Sequence, residues 1–285
     1  MAVVLTQLTE PGVPLTGTLT FGSATVTGLA TVAPLVVGQR VIGPGIPEGA
    51  LLQSLDSPTQ VTLTLPAQAA GPAPLVFGLE PITLAQAKAH LRIEPAITTD
   101  DSLIQNKITA ARQWCETYTK RSFIDTSWRG EWDSFPLAGG YLDRDTRQLA
   151  QMFPGGAIPS AWAMPMGGVI ETPRANLRSV ASVEYLDSSG VLQVLPPDQY
   201  RVQPGAPGRE VPVFGAIWPS SLPTIGAVAI TFTAGYGPGA SSVPAGVKEA
   251  ILVLLAQLYE QRGDSAVVIP EAVFHLLAPA NWGAY

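Results

Sequence analysis

All six tryptophans and all seven tyrosines of this chain lie beyond residue 113. The stretch 1–79 has only two aromatics, Phe21 and Phe77. It also has one basic residue, Arg40, and three acidic ones, Glu10, Glu48 and Asp56. A chain divided this way reads as two domains, and 285 residues suffice for both. The first must build its core from Val, Leu and Ile. Leu15–Phe21, Ala24–Leu29, Gln39–Ile42, Leu51–Leu55, Val61–Leu65 and Leu75–Phe77 read as short strands punctuated by Gly/Pro turns. Residues 1–79 are therefore predicted to form a small all-β module, followed by a second domain over 80–285.

Helical signals begin at residue 83. Thr83 followed by Gln86 is a capping-box pattern opening a helix over about 83–93, which stops before Pro95. Thr98 or Thr99 can cap the next helix, about 99–121. Asp100 and Asp101 sit where its dipole favours negative charge. Ile104, Ile108, Ala111, Cys115 and Tyr118 recur at helical spacing and define its apolar face. Lys120 and Arg121 complement its last turn.

Between residues 123 and 240 the pattern turns to strand and loop. Phe123–Trp132, Val180–Tyr185, Val191–Leu195, Tyr200–Val202 and Ala227–Thr233 read as strands, with Asp187–Gly190 as a hairpin turn. Ser134–Gly168 is long, Gly/Pro-rich and carries Trp162, Met164 and Met166. It is too apolar for a solvated linker and reads as a contact loop. A helix over about 244–262 opens at Pro244, and its AILVLLAQLY interior must be covered on several faces. A last helix, about 270–278, leads into an apolar, aromatic tail. The predicted class is α+β: a helical-bundle core with antiparallel hairpins and sheet, preceded by the β module.

Composition narrows the function. Charged residues make up 13% of the chain, about half the ~25% usual for soluble domains. A surface so poor in charge suits a subunit that buries much of it in an assembly. The net charge of −6 argues against a protein that grips nucleic acid by neutralising phosphates. One cysteine, Cys115, gives neither a disulfide framework nor a zinc cluster, and no stretch approaches a membrane span. His90 and His275 stand alone without metal-ligand spacing, and Gly43-Pro44-Gly45 is not a dinucleotide fingerprint. No cofactor is expected, and the residues point away from an enzyme.

The order of segments carries a resemblance. TLAQAKAHLRI, an acidic cap, a long helix ending in WCETYTKRSF and a strand with Trp128 come first. YLDSSG, DQYRV, ITFTAGYG and VPAGVKEAILVLLAQLYEQRG follow. Over about 80–280 this resembles the head–tail connector (adaptor, head-completion) proteins of tailed bacteriophages. The segment VGQRVIGPGIPEGALLQSLDSPTQVTLT is similar to a small β module that recurs in phage structural proteins. The resemblance implies a structural virion protein at the neck. It implies a ring, expected to be a dodecamer, under the portal protein, with a downstream neck or tail protein beyond it and DNA passing through without specific binding. It carries portal docking to Pro270–Tyr285, with Phe274, Leu276, Leu277, Trp282 and Tyr285 as anchors; the alternative is a tail folded back on its own domain. Glu131, Asp133, Asp143 and Asp145 are candidates for an acidic lumen or, alternatively, ordinary solvated charges. Another assembly role, as a stopper, a tail-completion protein or a binding module carried by the β domain, stays open.

Overall fold

The protein's computed structural model describes residues 3–136, 168–261 and 268–281. The chain is α+β, as the sequence predicts, and divides into two compact units. One comprises Met1–Thr9 and Thr126–Gly235, the other Glu10–Asp125 and Tyr236–Tyr285.

The first unit is built on a five-stranded antiparallel sheet. Its order is β1 (Val3–Gln7), β8 (Thr126–Trp132), β14 (Val228–Ala234), β10 (Leu177–Leu186) and β11 (Leu192–Val194). The sequence of β8, TSWRGEW, alternates so that Thr126, Trp128, Gly130 and Trp132 are buried. That is the period of a strand with one wet face. Gly130 is required there, because a Cβ would lie 2.6 Å from the Trp132 ring. The core gathers Trp128, Trp132, Phe135, Val183, Ile230 and Phe232, with Phe135 stacked on Trp218 at 4.9 Å between centroids. A second sheet orders β12 (Tyr200–Gln203), β13 (Arg209–Pro212) and β9 (Ile170–Glu171). The predicted hairpin is present, its turn closed by the Gly190 N–H donating to the Asp187 carbonyl at 2.9 Å.

The boundary expected at residue 79 does not describe the N-terminus. Val3–Gln7 pairs with β8 along its whole length, from Val3 opposite Trp132 to Gln7 opposite Trp128. Strand pairing across such a sequence separation is decided by tertiary context, which local pattern does not carry.

The second unit holds the β module and the helices. The module has two three-stranded sheets. One is β2 (Gly12–Leu19), β7 (Gly71–Gly78) and β4 (Val41–Ile42); the other is β3 (Thr25–Val26), β6 (Gln60–Leu63) and β5 (Leu52–Ser57). Its core is Leu29, Leu52, Val61, Leu63 and Leu75 around Phe77, the aliphatic core that the composition requires. Helix α1 (Leu84–His90) opens with the predicted capping box. The Gln86 N–H donates to the Thr83 hydroxyl at 3.2 Å, and the Thr83 N–H to the Gln86 side chain at 2.9 Å. Thr83→Ala is expected to lower stability by about 1 kcal/mol in chemical denaturation.

Helix α2 (Asp101–Thr119) departs from expectation at both ends. Its N-cap is Asp100, without a side-chain capping bond, so neither Thr98 nor Thr99 caps it. Asp101 instead pairs with Lys88 of α1 at 2.5 Å. At the C-terminus Lys120 takes the left-handed conformation (φ 53°) and ends the helix, and Arg121 Nε donates to the Ala280 carbonyl. Ile104, Ile108, Ala111 and Cys115 are all buried, as their spacing predicts. Helix α3 (Ala245–Glu260) buries Val247, Ala250, Ile251, Leu254 and Leu255. Its remaining large apolar side chains, Leu252, Val253, Leu258 and Tyr259, are half-buried against the same core. It is the central helix of its unit, packed by α1, α2 and α4 (Glu271–Leu277).

Candidate assembly surfaces

The docking residues expected in the C-terminal segment divide. Leu277 is fully buried in the helical core, and Leu276 packs half-buried against it. Phe274 meets Trp114 and Tyr118 edge-on, at 5.7 and 5.2 Å, while those two rings stack at 5.5 Å. Thus α4 packs onto α2 through Phe274. Leu277 has no free surface to offer a partner. Trp282 and Tyr285 lie outside the described residues, as do Trp162, Met164 and Met166 of the contact loop and Asp143 and Asp145.

The other two candidate lumen carboxylates lie in the first unit. Glu131 on β8 accepts from Arg129 Nε at 3.0 Å, and the same guanidinium donates to Glu184 of β10 at 2.9 Å. Asp133 accepts from the Gly226 N–H at 3.2 Å. On this face two carboxylates share one arginine, so negative charge remains in excess, yet both candidates have structural partners.

Two charged groups that pattern alone does not flag are deeply buried. Arg112 of α2 is 3% exposed and holds Glu80 and Glu116, each at 2.7 Å, with Glu10 at 3.9 Å. Burial opposes its charge, but the adjacent carboxylates outweigh that and hold its pKa above the usual arginine value. Glu116 also accepts the Phe123 N–H at 2.8 Å, and Glu80 accepts the Thr109 hydroxyl at 2.8 Å. In the first unit, Glu210 on β13 is fully buried and neither carboxylate oxygen has a partner. Burial pushes its pKa up to about 8.

None of these arrangements is a catalytic constellation. A cleft of about 800 Å³ in the second unit is walled by Val36, Val37, Leu51, Leu65 and Leu84, with Lys88 and Asp101 on one side. Lys88 Nζ is already held by the carbonyls of Pro95 and Ile97, at 3.2 and 2.7 Å, and by Asp101. It staples the α1–α2 connection and has no donor left for chemistry. His90 and His275 are both exposed. Burial pushes the Cys115 thiol up to about 12, the behaviour of a packed small hydrophobe. Among the described residues no group of His, Cys, Asp and Glu is arranged to hold a metal, and no helix is long and apolar enough to cross a membrane.

The α+β fold and the charge-poor composition suit an assembly subunit, and the comparisons point to the same class. Residues 81–148 match the phage gp6-like head-tail connector protein family. No curated protein matches the chain. Among solved structures the chain is similar to a subunit in the neck of an empty gene transfer agent (GTA) particle, computed with C6 symmetry. The TM-score is 0.50 at 24% identity, covering 70% of this chain and 89% of that one. The virion of the native gene transfer agent particle gives the same values. The likeness to the connector family read from the sequence is thus borne out, and the fold is one found in a virion neck.

Proposed function

We propose that this chain is a head–tail connector subunit, a structural protein of the virion neck that joins the DNA-filled head to the tail. The observation that carries this is the connector-family match over 81–148, which falls on the α1–α2 pair and β8. The copies form a ring under the portal, twelve of them by the family resemblance, and a downstream neck or tail protein binds the far side. A neck computed with sixfold symmetry is compatible with six or twelve subunits. The chain's acidic balance suits a channel that DNA traverses without sticking.

With α4 committed to its own core, portal docking rests on the segment after it. The anchors are Trp282 and Tyr285, since aromatic side chains bury large area at low entropic cost. Deleting Trp282–Tyr285 is expected to weaken portal binding about thirtyfold, the equivalent of ~2 kcal/mol for a pair of anchors. Thermal stability should be unchanged. Biolayer interferometry against purified portal reads the first quantity and calorimetry the second; unchanged portal affinity would reject the docking role. The connector reading itself is tested by electron microscopy of the chain mixed with portal. A closed ring stacked coaxially on the portal is expected, and a chain that joins no ring counts against it.

A further inference from the structure

Among the described residues no further strand pairs with either edge of the five-stranded sheet, and both edge strands lack charge. At one edge, β1 reads VVLTQ, with Val4 57% exposed. At the other, β11 reads LQV, with Leu192 60% and Val194 63% exposed. Sheet edges in soluble proteins are ordinarily blunted by lysines, prolines or cover, because a flat apolar edge recruits another strand. Neither β1 nor β11 contains such a residue. The Leu8 N–H donates to Ser127 of β8. By alternation Val4 and Thr6 also face β8, which leaves the amides and carbonyls of Val3, Leu5 and Gln7 pointing outward. The Leu195 N–H donates to Val183, and Val191 accepts from Asp187, so the backbone groups of Leu192 and Val194 point away from β10.

The two edges also match in face and direction. The register runs Val194–Glu184–Ala229–Glu131–Val4 straight across the sheet, which places Val194 and Val4 on one face. All four pairings are antiparallel, so the first and last of the five strands run the same way. A copy placed beside the first in the same orientation therefore presents its β1 parallel to β11.

We propose that β11 of one copy and β1 of the next pair in parallel, continuing a single sheet across the subunit boundary. This deepens the connector reading and rests on it. The contact is head-to-tail, the kind that closes into a ring when repeated by a rotation. Parallel pairing of such short strands is weak, and its area falls well under the ~1,200 Å² of a stable isolated interface. It contributes to a ring that other surfaces also hold.

The test is thiol crosslinking of the full chain, whose own Cys115 is buried and unreactive. Adjacent strands lie ~4.8 Å apart, within reach of a short bifunctional thiol reagent. Mixing Val4→Cys with Val194→Cys should give about a tenfold excess of mixed dimer over either homotypic dimer, a preference of ~1.4 kcal/mol. The double variant should give a ladder to trimer and beyond. Homotypic dimers as the main product, or no ladder, overturn the proposal. Electron microscopy of the same samples with portal separates the two readings: rings without a ladder reject the strand pairing alone, whereas failure to join any ring rejects the connector reading.

Discussion

Arg112→Met is expected to destabilise the helical unit by about 3–5 kcal/mol, because it leaves buried carboxylates without their cation. Glu80 and Glu116 are each 10% exposed and meet the guanidinium at 2.7 Å. Methionine fills much of the space of the arginine stem, so the loss is electrostatic and not a cavity effect. In a unit of this size the melting temperature should fall by roughly 10 °C. The triple variant Arg112→Met, Glu80→Gln, Glu116→Gln should recover most of the loss, since neutral amides tolerate the site without a cation. Glu10 stands at 3.9 Å and is half exposed, so Glu10→Gln should move stability by well under 1 kcal/mol. Circular dichroism melts of the three variants and the parent check this. An Arg112→Met melt within a degree or two of the parent would show that the cluster contributes little.

This cluster marks where the sequence stops being legible. Arg112 and Glu116 are spaced i, i+4 and could be read as a helix pair, but Glu80 comes from the end of the β module, beyond any local pattern. The elements that were legible are those whose signals are local. The Thr83–Gln86 box, the apolar face of α2, the Asp187–Gly190 turn and the aliphatic core around Phe77 follow from residue chemistry within a few positions. The misreadings are non-local. Strand β1 finds β8 across the whole module. The expected strand from Phe123 begins only at Thr126, because Phe123 and Ile124 are drawn into the helical core. The short strands Ile170–Glu171 and Arg209–Pro212 have too few residues to show a period and exist only through one another and β12. At the assembly surfaces, sequence alone picked out apolar residues but could not say which of them the chain keeps for itself. Leu277 and Phe274 belong to its own packing, whereas Leu192 and Val194 stay outside.

Glu210 makes the stability of the first unit depend on pH in an unusual direction. The carboxyl sits on β13 between Val202 and Ile170, fully buried, with no donor to either oxygen. Tyr200 on β12 has its own pKa raised by burial and then by the Glu210 charge. Arg209, next in the chain, points to Glu171 at 3.3 Å. Burial therefore keeps the carboxyl protonated, lifting its pKa from the ordinary 4.5 to about 8. The folded value lies above the unfolded one, so the folded chain retains a proton that the unfolded chain has released. The stabilisation is fully present below about pH 4.5 and is lost as the pH rises through about 8. The slope across that window is ~1.4 kcal/mol per pH unit, or about 4 kcal/mol in all. Glu210→Gln removes the titration and should flatten this part of the profile, leaving the variant less stable than the parent near pH 5 and more stable near pH 9, both to ~1–2 kcal/mol. Urea unfolding followed by tryptophan fluorescence, which reports Trp128, Trp132 and Trp218 of this unit, measures both curves. Parallel curves across the window would show that the carboxyl finds water or a donor in solution and titrates like an exposed one.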